Sequence, residues 1–360
     1  MVQLYANGDC LYATAIARQI KQDFPGCHLT WMIADFCQGI VDGNPYIDEV
    51  LVTNAVKKND IKAYRRVKKT LTQEKEQGKW TEIFFTQTMD DNQALYDGTI
   101  RGMLFRSYPS TITVPVQPVL ILNEHEKERV AAFASAHRLQ DFKYVLLWEY
   151  APQSGQSAFN FEFVMRVAQR ITAAHGVCVI LSSANKFEGT SSIIDASTLT
   201  VRENAALTHY CSLLVGCSSG ITWLSTSSAA KQLPMLQLLD GYAYFRNAPS
   251  VDFARYNIPA DELIELVEFD EEKTFTVIKA MIDHGTANIK KDFNQPLPVQ
   301  FRTTRKIVYN LLCYAQFKAI ARHYRVTVSV YGRHPLFIRE FIGAMLLFPF
   351  KLIRNKIRKM

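Results

Sequence analysis

Asn7-Gly8-Asp9 stands between the apolar run Val2 to Ala6 and the helix-like stretch Cys10 to Phe24. A strand that passes through a glycine into a helix N-terminus puts a carboxylate at the mouth of a cleft, where it can act on a bound molecule. Two roles are open to Asp9. As a general base it takes a proton from an incoming hydroxyl. As the helix N-cap it accepts a backbone N–H, worth about 1 kcal/mol, and does no chemistry. A second turn of the same shape, Gly216-Cys217-Ser218-Ser219-Gly220, follows the strand-like run Ser212 to Val215 and opens the stretch Ile221 to Ala230. Ser218, Ser219, Gly220 and Ile221 offer successive N–H groups and two hydroxyls at a helix start, which suits an anion such as a diphosphate. A capped turn that binds nothing has the same composition. The loop Gln153-Ser154-Gly155-Gln156-Ser157 follows the first strand of the second half and is placed to face the same ligand.

Other candidates carry less. The eight histidines show no HxxxH or HExxH spacing, so packed or surface roles suit them. Asp90-Asp91 lacks further nearby ligands and fits a solvated loop better than a metal site. The seven cysteines contain no CxxC pair, as expected of free thiols in a reducing compartment rather than disulfides or zinc. Absence of GxxxxGK[ST] argues against P-loop triphosphatases.

The elements that must position these turns alternate strand and helix through the first 300 residues, the pattern of a parallel sheet covered on both faces. In the first half strands are expected at Val2 to Ala6, Leu29 to Ala34, Val50 to Thr53, Glu82 to Thr86 and Val119 to Leu122. Tyr12, Ile16 and Ile20 repeat every four residues between the first two, as in a helix packed on a sheet. Lys57 to Lys79 suggests a solvated helix, and Asn123 to His137 a charged one, with a hinge at Leu139 to Lys143. In the second half strands are expected at Tyr144 to Trp148, Val177 to Ser182, Ser212 to Val215 and Met235 to Leu239. Helices are expected at Phe161 to His175, Ala205 to Cys211 and Ile221 to Ala230. Two facing α/β domains, residues 1–140 and 141–300, with a ligand between them, account for the paired turns.

These residues resemble glycosyltransferase family 9, the lipopolysaccharide heptosyltransferase-like group. The resemblance runs through Gly8-Asp9-Cys10-Leu11-Tyr12-Ala13-Thr14, Phe24-Pro25-Gly26 and Asn44 to Val50, and then through the block from Glu203 to the turn at Gly220. It implies a GT-B fold and an inverting, metal-independent transfer from a nucleotide-activated sugar, with Asp9 as base. Asn7, Gly8 and Gln87 would then lie on the acceptor side. Gln153, Ser154, Gln156, Ser157, Ser183, Glu203, Ser218, Ser219, Gly220 and Ile221 would lie on the donor side. No cofactor is implied, since the nucleotide-diphosphate sugar is a substrate. Two departures stand out. Ser218-Ser219-Gly220 and Trp223 occur where the family has Asp-Ser/Thr-Gly followed by His, and the loop at Gln153 to Ser157 lacks the family's basic residue. They leave donor specificity open, and they keep alive a different class of function, a catalytically silent nucleotide-sugar-binding or scaffold protein.

The charge lies at the end of the chain. Residues 301–360 hold thirteen Lys or Arg and one acid, Glu340, while the whole chain carries only +7, so the first 300 residues are net acidic. Ten uncharged residues between Glu340 and Lys351 are too few to cross a bilayer, which takes roughly 20. Lys351, Arg354 and Arg358 fall on one helical face, and Leu346, Phe350, Ile353 and Ile357 on another, as in an interfacial helix on acidic lipid. Docking of the tail on the first domain is the alternative. With no secretion signal ahead of Val2 and no nucleic-acid motif, the expectation is a cytoplasmic protein, peripheral on the inner face of the cell membrane. Its acceptor would be a lipopolysaccharide-like or lipid-linked glycan.

Overall fold

The computed structural model describes residues 1–357 except 55–56, 58–59, 152–154, 157–158, 174–175, 244 and 246, with side chains described to residue 349. The first half contains α1 (Asn7–Asp23), β1 (Thr30–Ala34), β2 (Glu49–Thr53), α2 (Ile61–Glu76), α3 (Ile100–Phe105) and α4 (Glu124–Ala136). β1 and β2 pair in parallel. The expected strand at Val2 to Ala6 lies beside β1, with Met32 N–H donating to Met1 O and Ala34 N–H to Leu4 O, both at 2.9 Å. On its other side it meets residues 84–86, yet only Val2 forms a bridge, to Met32 and Phe85. The ladder stops because a side chain replaces it. Gln87 Oε1 accepts the Leu4 and Tyr5 N–H groups at 2.8 and 3.1 Å, and its amide donates to Tyr5 O at 2.8 Å. Val119 to Leu122 is not a strand either, because its N–H groups at Val119 and Leu120 go to the hydroxyls of Thr14 and Ser228.

The second half holds β3 (Tyr144–Glu149), α5 (Phe161–Thr172), β4 (Val177–Ser182), β5 (Ile193–Asp195), α6 (Glu203–Leu207), β6 (Leu213–Gly216), α7 (Gly220–Leu224), β7 (Met235–Leu238), α8 (Pro249–Arg255), β8 (Leu263–Leu266), α9 (Glu271–His284) and α10 (Thr286–Phe293). Among the described residues its strands form one parallel sheet in the order β5-β4-β3-β6-β7-β8. Strand order therefore reverses between β3 and β6, and ligands of open parallel sheets bind outside the C-terminal ends of strands at such a point. α5 buries Val164, Val167, Ala168 and Ile171, the 3.6-residue stripe of a helix covering a sheet. The expected helix at Ile221 to Ala230 is only the short α7, since the hydroxyls of Ser225 and Thr226 fold back onto Ile221 O and Trp223 O.

The halves make packed contacts with each other. Tyr12 of α1 lies 4.9 Å, centroid to centroid, from Trp223 of α7. Arg101 of α3 pairs with Asp252 of α8 at 3.1 Å, both fully buried, and lies over the Tyr12 and Trp223 rings. Burial pushes the Asp252 carboxyl up to about 6, against the pull of Arg101 and Arg255.

The tail folds as α11 (Arg302–Cys313), α12 (Phe317–Tyr331) and α13 (Pro335–Ile357). Ile307, Val308, Leu311, Ala319, Ile320 and Ala344 form one apolar cluster with Ala94, Leu95, Tyr96 and Met103, so this segment docks on the first half. His323 is buried between Ala94 O and Thr304 Oγ1, and burial lowers it to about 4. Several tail cations are paired rather than free: Arg305 and Arg339 with Glu340, Arg322 with Asp91. Phe337 is completely buried against Phe301, Tyr324 and Phe341. Residues 337–344 are thus packed into the first half and are expected to contribute to its stability. A chain ending at residue 335 is expected to lose about 3–5 kcal/mol, the scale of deleting a buried aromatic. A chain ending at residue 348 should melt within a degree or two of the full protein. Equal calorimetric melting temperatures for the two truncations would refute this docking.

Candidate active site

α1 begins at Asn7, and its N-cap is Ala6, which has no side chain to donate or accept. Asp9 is therefore not the cap but lies in the first turn, where its charge faces the positive end of the helix dipole. Thr88 Oγ1 donates to Asp9 Oδ2 at 2.6 Å and orients the carboxylate. Asp9 lines a cavity of 480 Å³ together with Tyr5, Thr88, Gln93, Phe245 and Tyr314. Walls of this cavity come from regions far apart in sequence: the α1 entry, Ile61, residues 87–93, the loop carrying Phe245, and the end of α11 with the turn after it. Asn310, Leu311, Tyr314 and Gln316 thus line the cavity rather than forming an appendage to it. Gln87 also borders the cavity, but its amide is spent on holding the backbone of Leu4 and Tyr5, so it positions the turn that delivers Asp9.

The second turn is built for an anion, and the chain supplies that anion itself. Glu149, at the C-terminal end of β3 and fully buried, accepts hydrogen bonds from the Ser219 hydroxyl, the Thr222 hydroxyl at 2.5 Å, Ile221 N–H at 3.0 Å and Cys217 N–H at 3.3 Å. Ser218 N–H goes to Gln237 Oε1 at 2.8 Å, and the Ser218 hydroxyl to Asn247 O at 2.5 Å. At the turn expected to hold a diphosphate, the Ser219 hydroxyl and Ile221 N–H are thus matched to a carboxylate in the crevice at the strand reversal, and Ser218 to Gln237 and Asn247. Gly220 presses against the other turn instead, and a Cβ there would touch Asn7 Cβ at 3.5 Å and Gly8 N at 3.9 Å. Glu265 of β8 treats α8 the same way, taking the N–H and hydroxyl of Ser250, each at 2.7 Å, and burial raises its carboxyl.

Glu203, expected on the donor side, is held internally. It is fully buried, accepts Thr200 N–H at 2.6 Å at the start of α6 and pairs with Arg129 at 3.2 Å. Trp223, at the family's His position, is an interface residue, donating from its indole to Ser218 O at 3.3 Å. Ser183 is half-buried at the end of β4, its hydroxyl accepting Asn185 N–H at 3.1 Å. Gln156 connects the expected donor loop to the Asp9 cavity, donating at 2.6 Å to the carbonyl of Phe245. Gln153, Ser154, Ser157 and Arg358 lie outside the described residues, and Phe350, Lys351 and Arg354 fall on the last turns of α13.

Glu149 escaped sequence reasoning because it closes an otherwise apolar strand, Tyr144 to Trp148. A usable signal was there: an acid at the end of a buried parallel strand beside the hydroxyl-rich turn Ser218, Ser219 and Thr222 implies an internal acceptor.

No family model and no curated protein matches this sequence. Solved structures are similar. A family 9 glycosyltransferase from Veillonella parvula aligns over 78% of this chain and 88% of that one, with 16% identity and a TM-score of 0.53. The E. coli ADP-heptose lipopolysaccharide heptosyltransferase II aligns over 78% and 97%, with 11% identity and a TM-score of 0.48. The parallel six-stranded sheet with its strand reversal, the second α/β half and the first of these similarities together give the chain a mixed α/β fold with parallel sheets, similar to that of GT-B glycosyltransferases.

Proposed function

We propose that this protein is an inverting, metal-independent glycosyltransferase that moves a sugar from a nucleotide-diphosphate donor to a glycan acceptor. The observation that carries it is Asp9: an acid in the first turn of α1, oriented by Thr88, lining a cavity large enough for a sugar, since ligand sites span about 300–1,000 Å³. In the reaction Asp9 takes the acceptor hydroxyl proton, and that oxygen forms a bond to the anomeric carbon from the face opposite the leaving group. The bond from the anomeric carbon to phosphate breaks, and its electron pair departs with the nucleoside diphosphate. Support for the donor class is the likeness of fold to a family 9 glycosyltransferase.

Glu149 favours a second reading, a silent nucleotide-sugar-binding or scaffold protein, because a carboxylate where a diphosphate would be held opposes it by charge. A panel of nucleotide sugars separates the two. Transfer predicts that at least one donor raises the melting temperature and is consumed in the presence of a glycan, with EDTA leaving the rate unchanged. Binding without consumption supports the silent protein, and a strict Mg²⁺ requirement overturns the metal-free mechanism.

The proposal extends to the membrane surface, the acceptor being lipid-linked. Among the described residues no helix is long and apolar enough to cross a membrane. α13 exposes Leu336, Ile342, Met345, Leu346 and Leu347 ahead of a basic end, the composition of an interfacial helix. The chain ending at residue 348 should bind anionic vesicles less than the full protein does at low salt, and equal binding removes the membrane assignment.

A further inference from the structure

The first half contains a second cavity, of 410 Å³, at the start of the Val2 to Ala6 run, whereas Asp9 follows its end. Its floor is one face of the parallel pair, where Met32 of β1 stands opposite Leu51 of β2, beside Thr30, Val2 and Phe84. Ile20 and Phe24 from the end of α1, Leu71 from α2, and Trp80 and Ile83 line the rest. The cavity exists because α2 has little to fill it with. After Tyr64 the apolar residues of α2 are Val67 and Leu71 alone, and of its sixteen residues only Ala63, Tyr64 and Leu71 are buried. Protein interiors pack as densely as organic crystals, so a space of this size between aliphatic and aromatic side chains is room for a ligand rather than slack.

Polar groups of the lining are already matched. Lys79 pairs with Glu74 at 2.9 Å and Glu82 with Lys75 at 2.6 Å, while His28 lies 3.6 Å from Glu49. Thr30 Oγ1 donates to Glu49 at 2.8 Å, and the Trp80 indole to Glu74 at 2.7 Å. Among the described residues no side chain of this lining holds a buried nitrogen or oxygen without a partner. A sugar, nucleotide or peptide would give up hydrogen bonds to water here and gain none. Phe24 and Leu51 are 43% and 38% exposed, so the mouth is apolar as well, and the charges beside it are of both signs. Met1 and Met32, with their unbranched side chains, adapt to the outline of a flexible guest.

We propose that this cavity binds the alkyl chain of an amphiphile, a fatty acid or a membrane lipid, whose head group stays in water at the mouth. The site is separate from Asp9 and stands whether or not the protein transfers sugars. It reads the length of the chain and not the charge of the head.

The test titrates the full-length protein with linear carboxylates and alkyl phosphocholines of increasing chain length, below their micelle concentrations. Affinity is expected to rise about fourfold per added methylene, in parallel in the two series, and to level off once the cavity is full. A brominated chain is expected to quench tryptophan fluorescence, and the larger part of that quenching to vanish in Trp80→Phe. Leu51→Glu, at a half-exposed position, is expected to keep the fold and weaken binding by about tenfold or more. Leu71→Phe, which fills the cavity, should weaken it too, and if that variant fails to fold, the quenching and Leu51→Glu decide. Neutral vesicles of brominated phosphatidylcholine separate the two sources: quenching that Leu51→Glu abolishes makes the guest a bilayer lipid, and binding of monomers alone makes it a free fatty acid. Affinity independent of chain length, equal quenching in Trp80→Phe, unchanged affinity in folded Leu51→Glu, tighter binding of fused-ring hydrocarbons than of chains with as many carbons, or no binding by any chain overturns the proposal.

Discussion

Asp9→Asn is expected to lower turnover by roughly 10² or more, the usual scale of a lost general base, in a protein that folds as the unaltered one does. Folding should persist because Ala6, not Asp9, is the cap of α1, and because an amide oxygen can still accept the Thr88 hydroxyl. What is lost structurally is one favourable charge at a helix N-terminus, about 0.3–1 kcal/mol. Turnover at saturating donor, with thermal melts alongside, is the measurement. Comparable rates in the two proteins would take the base role from Asp9, and no capping role remains to which it could be returned.

Glu149→Ala is expected to be the most damaging single change to stability, by about 3–5 kcal/mol, as when one member of a buried charged network is removed. Two hydroxyls and two N–H groups would lose their acceptor inside the molecule, and each stranded buried donor costs roughly 1–3 kcal/mol before relaxation. Glu149→Gln keeps one acceptor but aims an NH₂ group at donors, so an intermediate loss is expected. Denaturant midpoints measure both. A Glu149→Ala protein within about 1 kcal/mol of the original would mean that water replaces the carboxylate, and that the turn is as open to a diphosphate as the sequence suggests.

Much of the second half was legible because its strands are buried on both faces and read as continuous apolar runs: β3, β4, β6 and β7 fall within a residue or two of expectation. α4 was legible through Asn123 and Glu126, which form a capping box. The first half was harder because side chains substitute for ladder bonds. Gln87 takes the N–H groups of Leu4 and Tyr5, and nothing in the spacing of residues 82–87 announces it. Asp9 was legible as a candidate because a Gly-Asp turn ahead of an amphipathic helix is a local pattern. The place of residues 310–316 in the cavity lining was missed for the opposite reason: Asn310, Tyr314 and Gln316 reach the cavity only through tertiary packing, and their sequence reads as a basic tail. Glu149 combines both difficulties, an ordinary strand end matched to a turn some seventy residues later.

The return of α11 to α13 onto the first half sets an order for synthesis on the ribosome. The parallel sheet of residues 144–266 has all its strands once β8 emerges, whereas Ala94, Leu95, Tyr96 and Met103 stay uncovered until residues 307–344 arrive. Nascent chains ordinarily complete domains from the N-terminus onward. Here the part translated first is finished last, and the cavity beside Asp9 acquires its last wall only when residues 310–316 have been made.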